Sequence, residues 1–446
     1  MTLRHHSRAR STKVEAGHAV PAAPLTRVLL SRRVWTFPFI ASVIQVFVEY
    51  VRPQEKYDLL QGLPLGEASF ALLILAVLTS GRELGISGSA GRWILPFLVW
   101  AFGASLLASN PSASLTAYGD VLKVVGIYFL LVAAIQNKEQ LYVLVLWYMA
   151  IAFLHTNFSF RMWAVTGFVG AGGGAYVGSG FLQNPNDYGA ALAALWGLSL
   201  GLAVHDHHSL GRIPMKWIHR GNTALFLVGV LTSSSRGAAV AVLAGALFYL
   251  AVAVPGGKKK IAFMGVIAGM VIGFLALLSE SQSARFEDIG GAQDESAEDR
   301  RRTWRVARMV IADNPVVGVG VGQFLPEARR YPAEGPIFVQ HNIVLQAGSD
   351  LGLPGLALLA AIIWGFYLDQ KQVMRRLRAR PDPMLKAIGV GLNVSMFSFL
   401  VAGQFITVLF YPFLWTLLVV SGVLYRVTEV PRARLFGKQP LPAGVP

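Results

Sequence analysis

The stretch "IVLQAGSDLGLPGLALLAAIIWGFY", from Ile343 to Tyr367, decides the fold class. It holds a single charged residue, Asp350, among mostly aliphatic and aromatic side chains. The hydrocarbon core of a bilayer is about 30 Å thick and takes roughly 20 helical residues to cross. A helix can cross it because the helix satisfies its own backbone hydrogen bonds. The stretch therefore predicts a transmembrane helix.

Similar apolar runs recur along the chain of 446 residues, of which 54% are hydrophobic and 14% charged. Soluble domains are usually about 25% charged. We therefore predict an all-α integral membrane protein with about twelve transmembrane helices. A short seventh span and an apolar stretch after the fifth also allow eleven or thirteen. The predicted spans lie near residues 35–51, 65–80, 93–108, 121–136, 140–156, 187–204, 222–233, 237–254, 261–278, 343–367, 386–404 and 408–425.

The net charge of +15 raises the question of nucleic-acid binding. Clusters such as Lys258–Lys260 fall on the side that would face the cytoplasm if the N-terminus is cytoplasmic, which is the positive-inside pattern of membrane proteins. We therefore expect membrane lipids and no nucleic acid as partners, with both termini cytoplasmic. The predicted domains are a disordered basic tail over 1–33, a membrane domain over 34–426 and a cytoplasmic tail over 427–446. The large loop 279–342 then faces the periplasm of a bacterial inner membrane.

The residues that could carry chemistry are few. The chain has no cysteine, which excludes disulfides and thiol catalysis. The "HDHH" run, His205 to His208, looks like a metal cluster, but in a short inner loop it predicts adventitious binding only. His341 is the outward histidine next to the arginine-rich loop. A histidine at a helix start is more often structural than catalytic, and the residues around His341 decide between these two interpretations.

That loop contains "SAEDRRRTWRVARMVIADNP", which predicts a helix ending at Asn314-Pro315. At helical spacing Trp304, Ala307 and Ile311 share an apolar stripe, with Arg300 at its centre. An arginine on a packing face needs an anionic partner to offset its desolvation. Arg301, Arg305 and Arg308 form a flank beside the stripe, and Arg302, on the opposite side, is predicted to be solvated. A solvated or headgroup-binding basic helix stays open as the simpler interpretation.

Two further motifs and one arginine are also predicted on the outer side of the membrane. "SSSRGA" places Arg236 at a membrane-level turn, where a charge is costly and usually functional, although an interfacial arginine is the simpler interpretation. "LQNPNDYGA" places Asn184 and Asn186 at a helix start, where N–H groups can receive an oxyanion or merely cap the helix. Arg161 is predicted in the same outer loop. "NPVVGVGVGQF" predicts a tight turn packed on the membrane domain.

Four ordered motifs resemble those of bacterial O-antigen ligases and related polysaccharide polymerases. "HNIVLQAGSDLGLPG" matches the pattern of histidine, then asparagine, serine or glutamine, nine residues, glycine, two residues and glycine. "RRRTWRVARMVIADNPVVGVGVGQF" is similar to the helix and glycine segment that precede this histidine, and "SSSRGA" and "LQNPNDYGA" to two upstream signatures. The resemblance covers roughly residues 180 to 360. "YVRPQEKYDLLQGLP" also resembles ligases associated with exosortase gene clusters.

The resemblance implies a GT-C-like, metal-independent, inverting glycosyltransferase without a cofactor. Its donor would be a glycan on undecaprenyl diphosphate, in the outer leaflet, and its acceptor a hydroxyl, most readily that of lipid A–core. His341 matches the family's essential histidine, and Arg236 and Arg300 its essential arginines. Arg161 and Arg305 complete the predicted diphosphate-binding set. The predicted supporting residues are Asn184, Asn186, Gln340, Asn342, Gly352 and Gly355.

The chemistry of the residues agrees with this prediction. Expulsion of a diphosphate from a sugar C1 builds negative charge, which guanidinium groups bind bidentately. A histidine with a pKa near 6.5 is a suitable base for an acceptor hydroxyl at neutral pH. Within the superfamily, an O-antigen or exopolysaccharide polymerase and a protein O-oligosaccharyltransferase stay open as alternatives. A transporter of lipid-linked glycans is the alternative from another class.

Overall fold

A computed structural model describes residues 24–165, 182–254, 256–277 and 295–429, and it is dominated by helices. Each of the twelve apolar runs coincides with a helix. The helices are α1 (Leu25–Leu29), α2 (Phe37–Val51), α3 (Pro53–Lys56), α4 (Leu65–Thr79), α5 (Gly88–Leu106), α6 (Pro111–Ala134), α7 (Lys138–Val165), α8 (Pro185–His205), α9 (Met215–Thr232), α10 (Arg236–Val252), α11 (Gly257–Leu277), α12 (Glu295–Asp313), α13 (Phe324–Ala328), α14 (Ile343–Ala379), α15 (Pro383–Ala402) and α16 (Pro412–Val427).

Within the described residues, five helices are long and apolar enough to cross a membrane, which agrees with the predicted all-α membrane protein. They are Pro111–Ala134, Lys138–Val165, Pro185–His205, Ile343–Ala379 and Pro383–Ala402. Three shorter apolar helices are Leu65–Thr79, Arg236–Val252 and Pro412–Val427. Twelve crossings stay a prediction.

Helix α8 lies at the centre of the bundle and packs most extensively against α15 and α9. Small residues allow this close approach. A Cβ at Gly201 would lie 2.3 Å from the carbonyl oxygen of Ala387, and one at Gly197 would lie 2.4 Å from the backbone nitrogen of Ser395. Glycines at such contacts bring two helix backbones together, as is common between membrane helices.

Several boundaries differ from the sequence prediction. Residues 24–33 are folded, since Leu25–Leu29 form α1 and the side chain of Leu25 is buried in the core; residues 1–23 of the predicted tail lie outside the described part. Arg161 lies within α7 and not in a loop. Helix α14 continues to Ala379, beyond the predicted end at 367. A two-residue antiparallel ladder, β1 (Ser209–Leu210) with β2 (Ile213–Pro214), interrupts the helical pattern after α8.

Candidate functional site

His341 has a strained backbone. Its φ of 45° lies in the left-handed region, and a non-glycine residue needs free energy to adopt this conformation. Residues in such strained conformations cluster at functional sites. Neighbouring contacts hold it there. The N–H of His341 donates to Thr407 Oγ1 at 2.8 Å, and the N–H of Ile343 donates to the carbonyl of Gly403 at 2.7 Å. Asn342 caps α14, its Oδ1 accepting from the N–H groups of Val344 and Leu345.

The His341 imidazole is half-buried. Its Nδ1 is buried and has no hydrogen-bond partner within the described part of the chain. Burial, and after it the positive charge of Arg300, together lower the pKa of His341 to about 4. The expected pKa near 6.5 is therefore wrong, because packing around the ring disfavours the charged form. At neutral pH the imidazole is neutral and has a free lone pair.

The arginine-rich helix α12 packs beside His341. Trp304 Nε1 donates to the carbonyl of Gln340 at 2.9 Å, and the N–H of Phe338 donates to Thr303 Oγ1 at 3.3 Å. Arg300, one turn before Trp304, is half-buried and close enough to His341 to affect its pKa. The structure thus brings together the predicted base and one predicted diphosphate-binding arginine.

The buried face of α12 is not centred on Arg300 as predicted. The residues buried on it are Thr303, Val306, Ala307 and Val310. Its centre is rotated by roughly 70° from Arg300, at about 100° per residue. Arg300 and Arg302 therefore border this face on opposite sides. Arg302 is not solvated as predicted, since its Nη1 lies 2.9 Å from Asp299 Oδ1 and 3.4 Å from the carbonyl of Pro336.

The two upstream motifs meet at the N-terminal ends of α8 and α10. Asn184 caps α8, and its Oδ1 accepts from the N–H of Asn186 at 2.8 Å. Ser235 caps α10, and its hydroxyl donates to Asn186 Oδ1 at 2.9 Å. Arg236 is the first residue of α10 and is half-buried. Asn184 thus caps α8, and Asn186 links the start of α8 to Ser235, the residue before Arg236, so the two helix starts lie side by side.

A segment that sequence reasoning missed joins this pair of helix starts to His341. This connector, residues 403–411, lies between α15 and α16. A Cβ at Gly237 would lie 2.9 Å from Phe405 Cβ, so the connector packs against the start of α10. Its Gln404 accepts from Asn342 Nδ2 through the backbone carbonyl at 3.2 Å, while Thr407 holds His341. The connector is mostly apolar and has no charged residue, and no sequence signal marked it.

The last residue of the connector also contacts the first turn of α8. The hydroxyl of Tyr411 donates to the Asp187 side chain, one residue after Asn186. Burial, together with the charge of Asp187 and the hydrogen bond to it, raises the pKa of Tyr411 to about 12. The starts of α8, α10 and α14 therefore share one face, and the positive ends of their dipoles gather there.

The remaining predicted arginines are not brought to His341. Arg161, near the end of α7, and Arg305, on α12, are both exposed. The diphosphate-binding role of Arg161 and Arg305 stays a prediction.

Gly352 breaks α14, and Gly355 follows three residues after the break. The backbone of Gly352 has φ 69° and ψ −175°, which breaks the helix there. A Cβ at Gly352 would lie 2.2 Å from the carbonyl oxygen of Val316, and one at Gly355 would lie 2.2 Å from Leu351 Cβ. Only glycine fits the break, because it tolerates positive φ and lacks a Cβ.

The glycine-rich segment after α12 satisfies the backbone of this break. The N–H groups of Val319 and Gly320 donate to the carbonyls of Ser349 and Asp350, each at 2.9 Å. The N–H of Leu353 donates to the carbonyl of Pro315 at 2.8 Å. The segment is therefore the packed turn that the sequence predicted, and it fixes the angle at which α14 presents His341.

The histidine-rich loop forms a second polar cluster at the opposite end of α8. Asp206 is buried and accepts from His208 Nδ1 at 2.7 Å, His219 Nε2 at 2.9 Å and the Tyr142 hydroxyl at 2.5 Å. Burial alone would raise the pKa of Asp206, but these hydrogen bonds outweigh it and hold the pKa well below its usual range. Among the described residues no group of three or more His, Cys, Asp or Glu side chains is arranged to hold a metal ion.

Comparison with protein families matches two parts of the chain. Residues 221–360 match the family model of O-antigen ligases. The chain carries an O-antigen ligase domain. This match over residues 221–360 supports a relationship to the superfamily of O-antigen ligases and polymerases, whose members are glycosyltransferase-like and use a lipid-linked glycan donor and a glycan acceptor. Residues 26–190 match a family of unknown function. A search of curated proteins finds no match.

The O-antigen ligase domain includes Arg236, Arg300, His341 and both glycines of the α14 break. Asn184 and Asn186 lie in the second matched region. The 403–411 connector lies outside both. The residues around His341 thus come from three parts of the chain.

Proposed function

We propose that this chain transfers a glycan from undecaprenyl diphosphate to an acceptor hydroxyl, with lipid A–core as the favoured acceptor, at the periplasmic face of a bacterial inner membrane. The observation that carries the proposal is the position of the neutral, half-buried imidazole of His341 beside the positive charge of Arg300. A glycosyl transfer from a diphosphate needs both a proton acceptor and a cation for the leaving group. The O-antigen ligase domain supports the reaction class.

In the proposed reaction the acceptor oxygen attacks the sugar C1 in line while the bond from C1 to the diphosphate oxygen breaks, which inverts C1. The acceptor proton passes to the His341 imidazole. The leaving group is undecaprenyl diphosphate, and its charge is stabilised by Arg300 and Arg236. Guanidinium groups suit this role because they stay charged and bind phosphate oxygens bidentately.

The surroundings of Arg236 fit a diphosphate. The starts of α8 and α10 abut through the bond between Ser235 and Asn186, and their dipoles add positive potential beside Arg236. Neither a metal ion nor a cofactor is needed in this scheme, since helix ends and arginines supply the charge that a divalent cation supplies elsewhere.

The direct test is transfer from a purified, labelled lipid-linked glycan by the protein in liposomes, in the presence of EDTA. The acceptors offered are lipid A–core, a second lipid-linked glycan, and an acceptor protein. Product on lipid A–core supports the proposal. Product only on the second glycan would make the protein a polymerase, and product only on protein would make it an O-oligosaccharyltransferase. Flipping of the donor without transfer to any acceptor would contradict an enzymatic role.

The proposed topology has its own test. Because the chain lacks cysteine, an introduced cysteine can be labelled without background from native cysteines, and its labelling shows on which side of the membrane it lies. Ala333→Cys, in the exposed segment before His341, should react with a membrane-impermeant maleimide in cells with an opened outer membrane. Arg212→Cys, in the exposed turn between β1 and β2, should react only after lysis. The reverse pattern would place His341 in the cytoplasm.

A further inference from the structure

Asp350 is a buried carboxylate that the proposed reaction does not use. It lies in the first segment of α14, two residues before the break at Gly352, and is 2% exposed. Its Oδ1 accepts from Gln340 Nε2 at 3.0 Å, and its carboxylate also accepts from the backbone N–H of Gly322. Within the described part of the chain no lysine or arginine forms an ion pair with it.

Gln340 is the residue next to His341, and it is held at both ends. Its side-chain Nε2 donates to Asp350 and, at 2.9 Å, to Ser349 Oγ. Its carbonyl accepts from Trp304 Nε1 on α12. With the side chain and carbonyl both fixed, the peptide that joins Gln340 to His341 has little freedom to rotate.

This restraint acts where the backbone is strained. A left-handed φ at His341 persists only while the surroundings hold it. Asp350 is the shared acceptor for the residue before His341 and for the last glycine of the segment that docks on the α14 break. We propose that Asp350 is a positioning residue, which fixes the His341 imidazole by holding Gln340 and Gly322 together. The inference rests on the proposed function, in which His341 accepts the acceptor proton.

A purely structural role for Asp350 would affect the bend of α14 and leave His341 alone. Two variants separate the roles. Gln340→Leu removes the link to His341 from the loop side and leaves α14 intact. Asp350→Asn removes the carboxylate while keeping a similar volume. Asp369→Asn is the matched control, because Asp369 is also a buried acid of α14 but accepts from the N–H groups of Ser89 and Ala90, far from His341.

The first measurement is steady-state glycan transfer by the full-length protein. We expect Asp350→Asn and Gln340→Leu each to lower kcat by about ten- to a hundredfold, because a small misplacement of a reacting group costs that much. The KM for the lipid-linked donor should change by less than about threefold, since the arginines are untouched. The double variant should be no slower than the slower single variant, because both remove one link. A double variant whose loss is the product of the two single losses would overturn the inference.

The second measurement does not depend on transfer. Amide hydrogen exchange over residues 338–346 should speed up in Asp350→Asn and in Gln340→Leu, and should stay unchanged in Asp369→Asn. If Asp350→Asn does not fold, Gln340→Leu alone decides. Unchanged exchange in Gln340→Leu would overturn the positioning role whatever the wild-type protein transfers. Faster exchange together with a wild-type protein that transfers nothing would instead contradict the proposed function.

Discussion

The backbone N–H of His341 donates to the hydroxyl of Thr407 at 2.8 Å, across 66 positions of the chain. The bond holds the strained backbone of His341 from the connector side. Thr407→Val keeps the shape and removes the acceptor, which leaves a part-buried N–H unsatisfied. We expect a loss of about 1–3 kcal/mol in stability or an equivalent fall in kcat. Thr407→Ser, which keeps the hydroxyl, should stay near wild type. Equal stability together with equal transfer rates for the two variants would contradict a role for this bond.

The effect of replacing an arginine by lysine should depend on the position of that arginine. Lysine keeps the charge but loses the bidentate geometry of guanidinium. Arg300→Lys and Arg236→Lys should therefore each lower kcat/KM for the lipid-linked donor by about tenfold or more. Arg301→Lys is the control, since Arg301 is exposed on the same helix and pairs with Glu298. A loss in Arg301→Lys as large as that in Arg300→Lys would show that the net charge of α12 matters and not the position of Arg300.

The pH profile follows from the lowered pKa of His341. The neutral imidazole is the proton acceptor, so transfer is lost only as pH falls through its pKa. With that pKa at about 4, kcat/KM should stay flat from pH 8 to about 5 and fall below that. The midpoint for kcat should lie higher, because the bound diphosphate offsets the charge of Arg300. Donor binding measured at each pH separates titration from acid unfolding. A midpoint for kcat/KM between pH 6 and 7 would contradict the buried state of the imidazole.

Much of the fold could be predicted because a bilayer requires long apolar helices, and all twelve apolar runs are helical. An apolar face on α12 was predicted, but its position around the helix was wrong, because helical spacing does not show on which side α14 packs. The pKa of His341 could not be predicted, because it depends on burial by distant segments. The connector was missed for the same reason. Gln404 and Thr407 are ordinary polar residues between two spans, and their role arises only from contacts with residues more than 60 positions away.

The Asp206 cluster should be structural. In Asp206→Asn an NH₂ group replaces one carboxylate oxygen, so at least one of the donors His208, His219 and Tyr142 loses its acceptor. We therefore expect a loss of about 1–3 kcal/mol in stability. Thermal unfolding in detergent checks this, and protein that stays folded should transfer glycan at the wild-type rate. EDTA should leave the wild-type Tm unchanged. A Tm that falls in EDTA and recovers with Zn²⁺ would instead make the cluster a metal site.

The central claim is that His341 accepts the acceptor proton while the arginines hold the donor. The most direct measurement is glycan transfer and lipid-linked donor binding by His341→Ala, beside His207→Ala, which removes an exposed histidine from the opposite end of α8. The account predicts that transfer falls on the order of 10²–10⁴-fold in His341→Ala, that donor binding stays within a few-fold, and that His207→Ala matches wild type. Wild-type transfer by folded His341→Ala, or loss of its donor binding, would contradict the account.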